Sequence, residues 1–180
     1  LGGNDLGLMA ECVVCEEFSA ASPAADLARF DSCCLGGVPI LKFGTEEQKQ
    51  KYLIPMIKGE TIGAIAITEP DVGSDTAGMK TYAEKKEDRW VINGEKRFIT
   101  NGSEADFIVV YAITNRGVKS KDGMTSFIID TKSPGFSVVK DYSLMGMHGL
   151  RVSHLKFNDL EVPLENQLGQ EHRAFKILMH

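Results

Sequence analysis

The chain has 180 residues, 25 acidic against 20 basic side chains and a formal net charge of −5, with 43% apolar and 25% charged residues. That balance matches a globular domain and argues against intrinsic disorder. The small negative charge argues against a nucleic-acid or membrane-surface binder, which needs a concentrated basic face, and no apolar run reaches the roughly 18 residues of a membrane span.

In chain order, the first third reads helical. Leu6 to Ala21 forms one amphipathic segment, with Cys12 and Cys15 one turn apart on the same face. Those two cysteines, and the adjacent Cys33 and Cys34, read as small buried hydrophobes rather than metal ligands, because neighbouring residues on a helix point to different faces. Ser22-Pro23 starts a second helix that should run to about Leu35, where Gly36-Gly37 breaks it. Pro39 to Phe43 is short and apolar. Thr45 offers a capping hydroxyl ahead of Glu46 and Glu47, opening a helix that continues to about Lys58 and ends at Gly59. Pro55 is a point where that helix could kink.

After Gly59 the period changes to that of strands. Thr61 to Thr68 reads as a buried strand, and Trp90 to Thr100 as two strands joined at Asn93-Gly94, a strong hairpin signal. Further strands are expected at Asp106 to Ile113, Thr125 to Asp130, Phe136 to Val139 and Val152 to Phe157. The pattern turns helical again after Pro163 and Gly169. The expected fold class is therefore α+β: a helical segment over 1–60, an antiparallel β-barrel over 61–162 and the start of a second helical domain over 163–180. Leu1 at the start and an interrupted helical pattern at the end read as a piece of a longer chain.

Two stretches carry chemistry. No GxGxxG follows a strand, so a Rossmann dinucleotide site is not indicated. Gly73 to Lys80 approaches a P-loop but lacks the Gly-Lys-Ser/Thr ending, because Met79 intervenes. Thr68-Glu-Pro-Asp-Val-Gly-Ser-Asp75 instead ends an apolar strand in a polar turn. There Gly73 and Ser74 could meet a phosphate or could simply close a loop. Phe98-Ile-Thr-Asn-Gly102 combines an aromatic face with a hydroxyl, a set that suits a flat redox-active ring or an ordinary core-and-turn segment. Among the histidines His148, His154, His172 and His180, no pair has the spacing of a helical metal site, and no metal is expected.

Taken together, Ala66-Ile-Thr-Glu-Pro-Asp-Val-Gly-Ser-Asp75, Ile92-Asn-Gly-Glu-Lys-Arg-Phe-Ile-Thr-Asn-Gly102 and Gly146-Met-His-Gly-Leu-Arg151 resemble the acyl-CoA dehydrogenase family. Tyr52-Leu-Ile-Pro55, Lys58-Gly-Glu60 and Phe157-Asn-Asp-Leu-Glu-Val-Pro163 agree in order and spacing. The resemblance implies a protomer of N-terminal helical domain, central β-barrel and C-terminal helical bundle, binding FAD and assembling as a homotetramer or dimer of dimers. It implies that Ile65, Ile67 and Thr68 lie along the flavin, with Thr68 at its pyrimidine edge. Gly73 and Ser74 would meet the pyrophosphate region, Phe98 would pack on the ring, Thr100 would donate toward N5, and Ile99 would lie between them.

Ser74 and Thr114 would also touch acyl-CoA. Phe98 stands where many members have Trp, and His148 where many short-chain members have Arg. The implied reaction is α,β-dehydrogenation of an acyl-CoA in acyl-CoA catabolism (beta-oxidation), with electrons passed to an electron-transfer flavoprotein. No residue matches the family's glutamate base, which is expected beyond His180. Glu69 reads as a structural residue of its loop. A glutaryl-CoA-type decarboxylating enzyme, an acyl-CoA oxidase and a non-catalytic FAD or acyl-CoA module are the competing readings. Reduced thiols and the lack of a signal segment suggest the cytoplasm.

Overall fold

The computed structural model describes residues 1–4 and 6–179, Ala77 without its side chain. The helical third holds α1 (Gly7–Ala21) and α2 (Pro23–Phe30), which continues through a π-helical stretch (Asp31–Gly37) into α3 (Val38–Phe43). Ser22 caps α2, its Oγ accepting from the Ala25 N–H at 3.3 Å, with Pro23 in the first turn. Contrary to expectation, Gly36-Gly37 does not break the helix. The helix crosses the first strand there, and a Cβ on Gly36 would lie 3.1 Å from backbone atoms of both Gly63 and Ala64. Glycine is used for that close approach, and the chain stays helical through it. Ser32 Oγ, on the same stretch, accepts from the Gly63 N–H at 2.9 Å.

The cysteine expectation is also corrected. α1 buries no residue among those described, Cys12 and Cys33 are exposed, and Cys15 and Cys34 are half-buried. Polar contacts tie α1 down instead: Arg29 reaches Glu11 and Asp26 at 2.8 Å each and Cys15 Sγ at 3.3 Å.

A third helical run over 46–57 comprises α4 (Glu46–Gln48), a π-helical turn (Lys49–Leu53) and α5 (Ile54–Ile57). Its start is a capping box in which Thr45 Oγ1 accepts from the Gln48 N–H at 3.2 Å and Gln48 Oε1 accepts from the Thr45 N–H at 3.1 Å. Gln48 then donates to the carbonyls of Glu165 and Gln167, fastening this run to the end of the sheet.

The strands are β1 (Gly63–Ala66), β2 (Tyr82–Lys85), β3 (Arg89–Thr100), β4 (Phe107–Ile113), β5 (Met124–Asp130), β6 (Phe136–Asp141), β7 (Val152–Pro163) and β8 (Gln167–Leu168). They form one sheet in the order β6-β7-β3-β2-β4-β5-β8, with β1 also paired to β4. The α+β layout stands, but the sheet is mixed rather than wholly antiparallel, because β4 runs parallel to β1 and β2. Trp90 of β3 packs edge-on against Phe127 of β5, ring centroids 5.1 Å apart, although two strands separate them. The sheet therefore wraps around an inner core that includes Ile92, Ile108, Val110 and Leu155. β4 is buried along its whole length: Ile108, Val110 and Ala112 face that core, while Phe107, Val109 and Tyr111 face the helices.

The expected hairpin at Asn93-Gly94 is absent; β3 runs through it. The chain reverses earlier, where the Lys86 N–H donates to the Arg89 carbonyl at 2.8 Å, joining β2 to β3. Asn93 instead lies opposite a bulge in β7, where Asn158 and Asp159 together face it. Gly94 sits at φ +146°, and a Cβ there would meet Thr81 Cα at 2.7 Å. β7 also outruns its expected end at Phe157, continuing to Pro163 through Asp159 at φ +49°. Short segments α6 (Ser120–Gly123) and α7 (Ala174–Leu178) complete the chain. No helix among the described residues is long and apolar enough to cross a membrane.

Candidate functional site

Apart from Thr114, the candidate residues fall on three pieces of chain: the end of β1, the loop after it, and the second half of β3. Lys96 pairs with Leu155 and Ile99 with Ser153, so Arg97 and Phe98 oppose His154 alone. This bulge reverses the in–out phase of the strand. Trp90, Ile92 and Lys96 point inward before it and Ile99 after it, while Phe98, at φ +59°, is turned out and is 55% exposed. Ile99 lies in the inner core, so its side chain faces away from any ligand on the outer surface.

Phe98 is set in a cationic aromatic cluster. Its ring centroid is 4.8 Å from that of Tyr142, the Arg97 guanidinium lies 4.9 Å from its centroid, and Arg97 Nε donates to Tyr142 Oη at 2.7 Å. Lys140 adds a second cation 5.0 Å from the Tyr142 ring. Such a cluster favours an electron-rich or anionic planar partner.

The end of β1 is held beside this bulge, where the Arg97 N–H donates to the Thr68 carbonyl at 2.7 Å. Ile65 and Ile67 are half-buried against the helix-facing core. Ile65 lines a small apolar cavity of about 160 Å³ together with Leu35, Phe43, Tyr111 and Ile177. Beyond them, Gly73 and Ser74 are exposed, and a Cβ on Gly73 would meet nothing within 4 Å. Ser74 opens onto a larger recess of about 550 Å³ shared with Thr76, Lys119, Lys121 and Phe175. The hydroxyls of Thr68, Ser74 and Thr100 make no hydrogen bond among the described residues. Those of Thr81, Thr131 and Ser153, by contrast, are all engaged.

Thr114 stands apart from this group. Its hydroxyl is engaged in a local network with the Gly123 carbonyl at 3.2 Å, Thr125 Oγ1 at 2.7 Å and His172 Nδ1 at 2.9 Å. His148 is exposed in the loop before β7, His154 pairs with Glu95 at 3.0 Å, and His180 lies outside the described residues. No group of three or more His, Cys, Asp or Glu among the described residues is arranged to hold a metal.

Glu69 is buried and fully committed. Its carboxylate accepts from the N–H groups of Lys80 at 2.6 Å and Thr81 at 3.0 Å, and from Lys96 Nζ at 2.9 Å. Burial works to raise its pKa, but the Lys96 charge and the N–H donors outweigh it and hold the carboxyl below its ordinary value. The buried ammonium of Lys96 is pushed down to about 8, with Glu69 opposing that shift. Glu69 is 4% exposed and all three of these donors are intramolecular, so its carboxylate serves the loop and strand it joins. Lys96 was not among the candidates read from the sequence, although it continues the inward alternation of Trp90 and Ile92.

A family model described as "Acyl-CoA dehydrogenase, middle domain" matches residues 64–160, and one described as "Acyl-CoA dehydrogenase, N-terminal domain" matches residues 1–60. The mitochondrial isovaleryl-CoA dehydrogenase of Pongo abelii is 41% identical over 181 residues, 99% of this chain and 42% of that protein. A short-chain-specific acyl-CoA dehydrogenase of Megasphaera elsdenii is 42% identical over 160 residues, 88% of this chain and 41% of that protein. Among solved structures, one of the electron transferring flavoprotein of Acidaminococcus fermentans contains a chain with TM-score 0.89 and 43% identity, covering 91% of this chain and 43% of that one. An acyl-CoA dehydrogenase of Bacillus anthracis, solved in complex with FAD, has TM-score 0.84 and 35% identity, covering 92% of this chain and 28% of that one. The chain thus spans less than half the length of these relatives.

Proposed function

The chain belongs to the acyl-CoA dehydrogenase family, and from that premise we propose that it supplies the flavin platform of an enzyme that dehydrogenates an acyl-CoA thioester between Cα and Cβ. The observation that carries this reading is the pairing of an outward-turned aromatic, Phe98, with the segment just after β1, where the Arg97 N–H holds the Thr68 carbonyl. Apolar side chains, a ring to stack on and hydroxyls with no internal partner match a flat ring with a polar edge and a phosphate arm.

FAD fits this donor set, and when bound it supplies acceptance of the β-hydrogen as a hydride. Ile65 and Ile67 offer an apolar edge, and Phe98 excludes water from one face. The Thr68 hydroxyl is assigned to the pyrimidine edge and that of Thr100 to N5. The backbone at Gly73 and the hydroxyl of Ser74 are assigned to the pyrophosphate, with Ser74 also facing the thioester substrate. Ile99 supports the strand from inside, and Thr114 orders the 114–125 loop through which it would meet CoA. The α-proton is removed by a carboxylate that is none of this chain's residues.

The relatives support a short or branched acyl group. An electron-transfer flavoprotein is the assigned electron acceptor, a homotetramer the assigned assembly, and domain limits of 1–60, 61–162 and 163–180 the assigned division. The four free thiols support a reducing compartment such as the cytoplasm.

The test is the visible spectrum of the full-length protein titrated with acyl-CoAs of different chain length and branching. Bleaching of a flavin band by a short or branched thioester is the expected result. A protein without flavin, or with a flavin that no acyl-CoA reduces, would refute the assignment.

A further inference from the structure

We propose that the buried Lys96–Glu69 pair is a positioning device for the flavin-contact segment, fixing Ile67, Thr68 and the Gly73–Ser74 loop against β3. The inference rests on the flavin platform proposed above and extends it to two residues inside the molecule.

The pair is expensive to keep. Lys96 has 0% of its side chain exposed and Glu69 3%, in an interior otherwise built from groups such as Trp90, Ile92, Ile99 and Leu155. Two apolar side chains of similar volume commonly replace a buried ion pair with no loss of stability, so stability alone does not account for the pair. The direction of its contacts does. Lys96 Nζ donates to the Ile67 carbonyl and to Glu69 Oε1, both at 2.9 Å. Glu69 binds the N–H groups of Lys80 and Thr81, closing the loop that carries Gly73 and Ser74. The main chain of Glu69 and Val72 exchanges two further hydrogen bonds, N···O 2.9 and 3.2 Å, shaping the turn at the loop's start.

On the other side, Lys96 immediately precedes the bulge that turns Phe98 outward. The pair thus sits at the junction of all three pieces that carry the candidate residues. An apolar replacement would leave the Ile67 carbonyl and two loop N–H groups without these partners. Neither residue reaches the outer surface, so both act through the backbone they hold.

The experiment uses full-length protein reconstituted with FAD. Glu69→Gln keeps the shape and removes the charge; Lys96→Met keeps the length and removes the donor. Phe127→Leu, an inner-core change away from the junction, controls for lost stability. The readouts are circular dichroism for folding, the dissociation constant for FAD and the flavin midpoint potential. Glu69→Gln and Lys96→Met are expected to weaken FAD binding about tenfold or more, the scale of one charge-assisted hydrogen bond, and to shift the potential. The control is expected to move neither. If Lys96→Met does not fold, the milder Glu69→Gln decides. Folded variants that keep the wild-type dissociation constant and potential would overturn the positioning role and leave the flavin platform standing. So would a control that shifts them equally. A wild-type protein that takes up no FAD would overturn both.

Discussion

Asp31 shows how one buried group sets a pH response. It is 5% exposed, its Oδ2 has no hydrogen-bond partner among the described residues, and burial pushes its carboxyl up to about 7. The folded protein therefore holds this proton between about pH 4 and pH 7, where the unfolded chain has released it. The associated stability is fully present below pH 4 and lost as pH rises through 7, by up to about 4 kcal/mol. Asp31→Asn is expected to flatten that slope and to stabilise the protein at pH 8, measured by urea unfolding at both ends of the range. An unchanged slope would contradict the assignment. At the flavin platform, Thr100→Val is expected to slow flavin reduction by acyl-CoA about tenfold while leaving the melting temperature within a degree or two, because it removes a donor without removing volume. Unchanged reduction kinetics would sink the role given to Thr100. Lys96→Met belongs to a costlier class: it strands the Glu69 carboxylate in the interior and should destabilise the fold by about 3–5 kcal/mol in chemical denaturation.

Among the elements, β3 shows why regular periodicity misleads. Its alternation holds from Trp90 through Lys96, then shifts by one residue at Arg97–Phe98. The sequence presents Phe98 and Ile99 as two adjacent apolar residues; the bulge decides which goes in. Deleting Arg97 removes the extra residue, and regular alternation from Lys96 then still sends Phe98 out and Ile99 in. Such a variant is expected to fold, its loss confined to the Arg97 contacts with Thr68 and Tyr142; a variant that circular dichroism shows unfolded would contradict this. The same device explains the missing hairpin. Asn93-Gly94 was legible as a site needing unusual backbone, but bulges and turns share that requirement, and only the position of β2 distinguishes them. β2 itself was hidden because Glu84 and Lys85 are solvent-facing and Ala83 is its one buried residue. Gly36-Gly37 gave a helix-breaking signal for a similar reason: close approach to β1 asks for the same residue as a helix end.

For the whole molecule, the outstanding feature is apolar surface. Leu6, just before α1, and Leu8, Met9, Val13 and Phe18 on it are exposed, and Met145 projects from the loop before β7. A helix that buries none of its described residues yet carries this many large apolar side chains gains little by standing alone. The 180-residue chain expressed by itself is expected to self-associate, with an apparent mass that rises with concentration in light scattering. A monomer at every concentration would contradict this.

The sequence by itself determined the change from helices to strands after Gly59, the capped starts at Ser22 and Thr45, the apolar strand that becomes β4 and the motifs that mark the family. These depend on local propensity and on residues close in sequence, which any reader of the chain has in hand. It also marked Thr68, Gly73, Ser74, Phe98 and Thr100 as candidates. The tertiary structure alone decided that Phe98 faces outward and Ile99 inward, that β1 and β2 lie parallel to β4, and that Lys96 and Glu69 meet inside the sheet. Those outcomes turn on single-residue shifts of register and on contacts between residues 27 apart, as Glu69 and Lys96 are. A strand's period of two carries no record of where it slips, and a buried charge finds its partner only when the chain has closed around it.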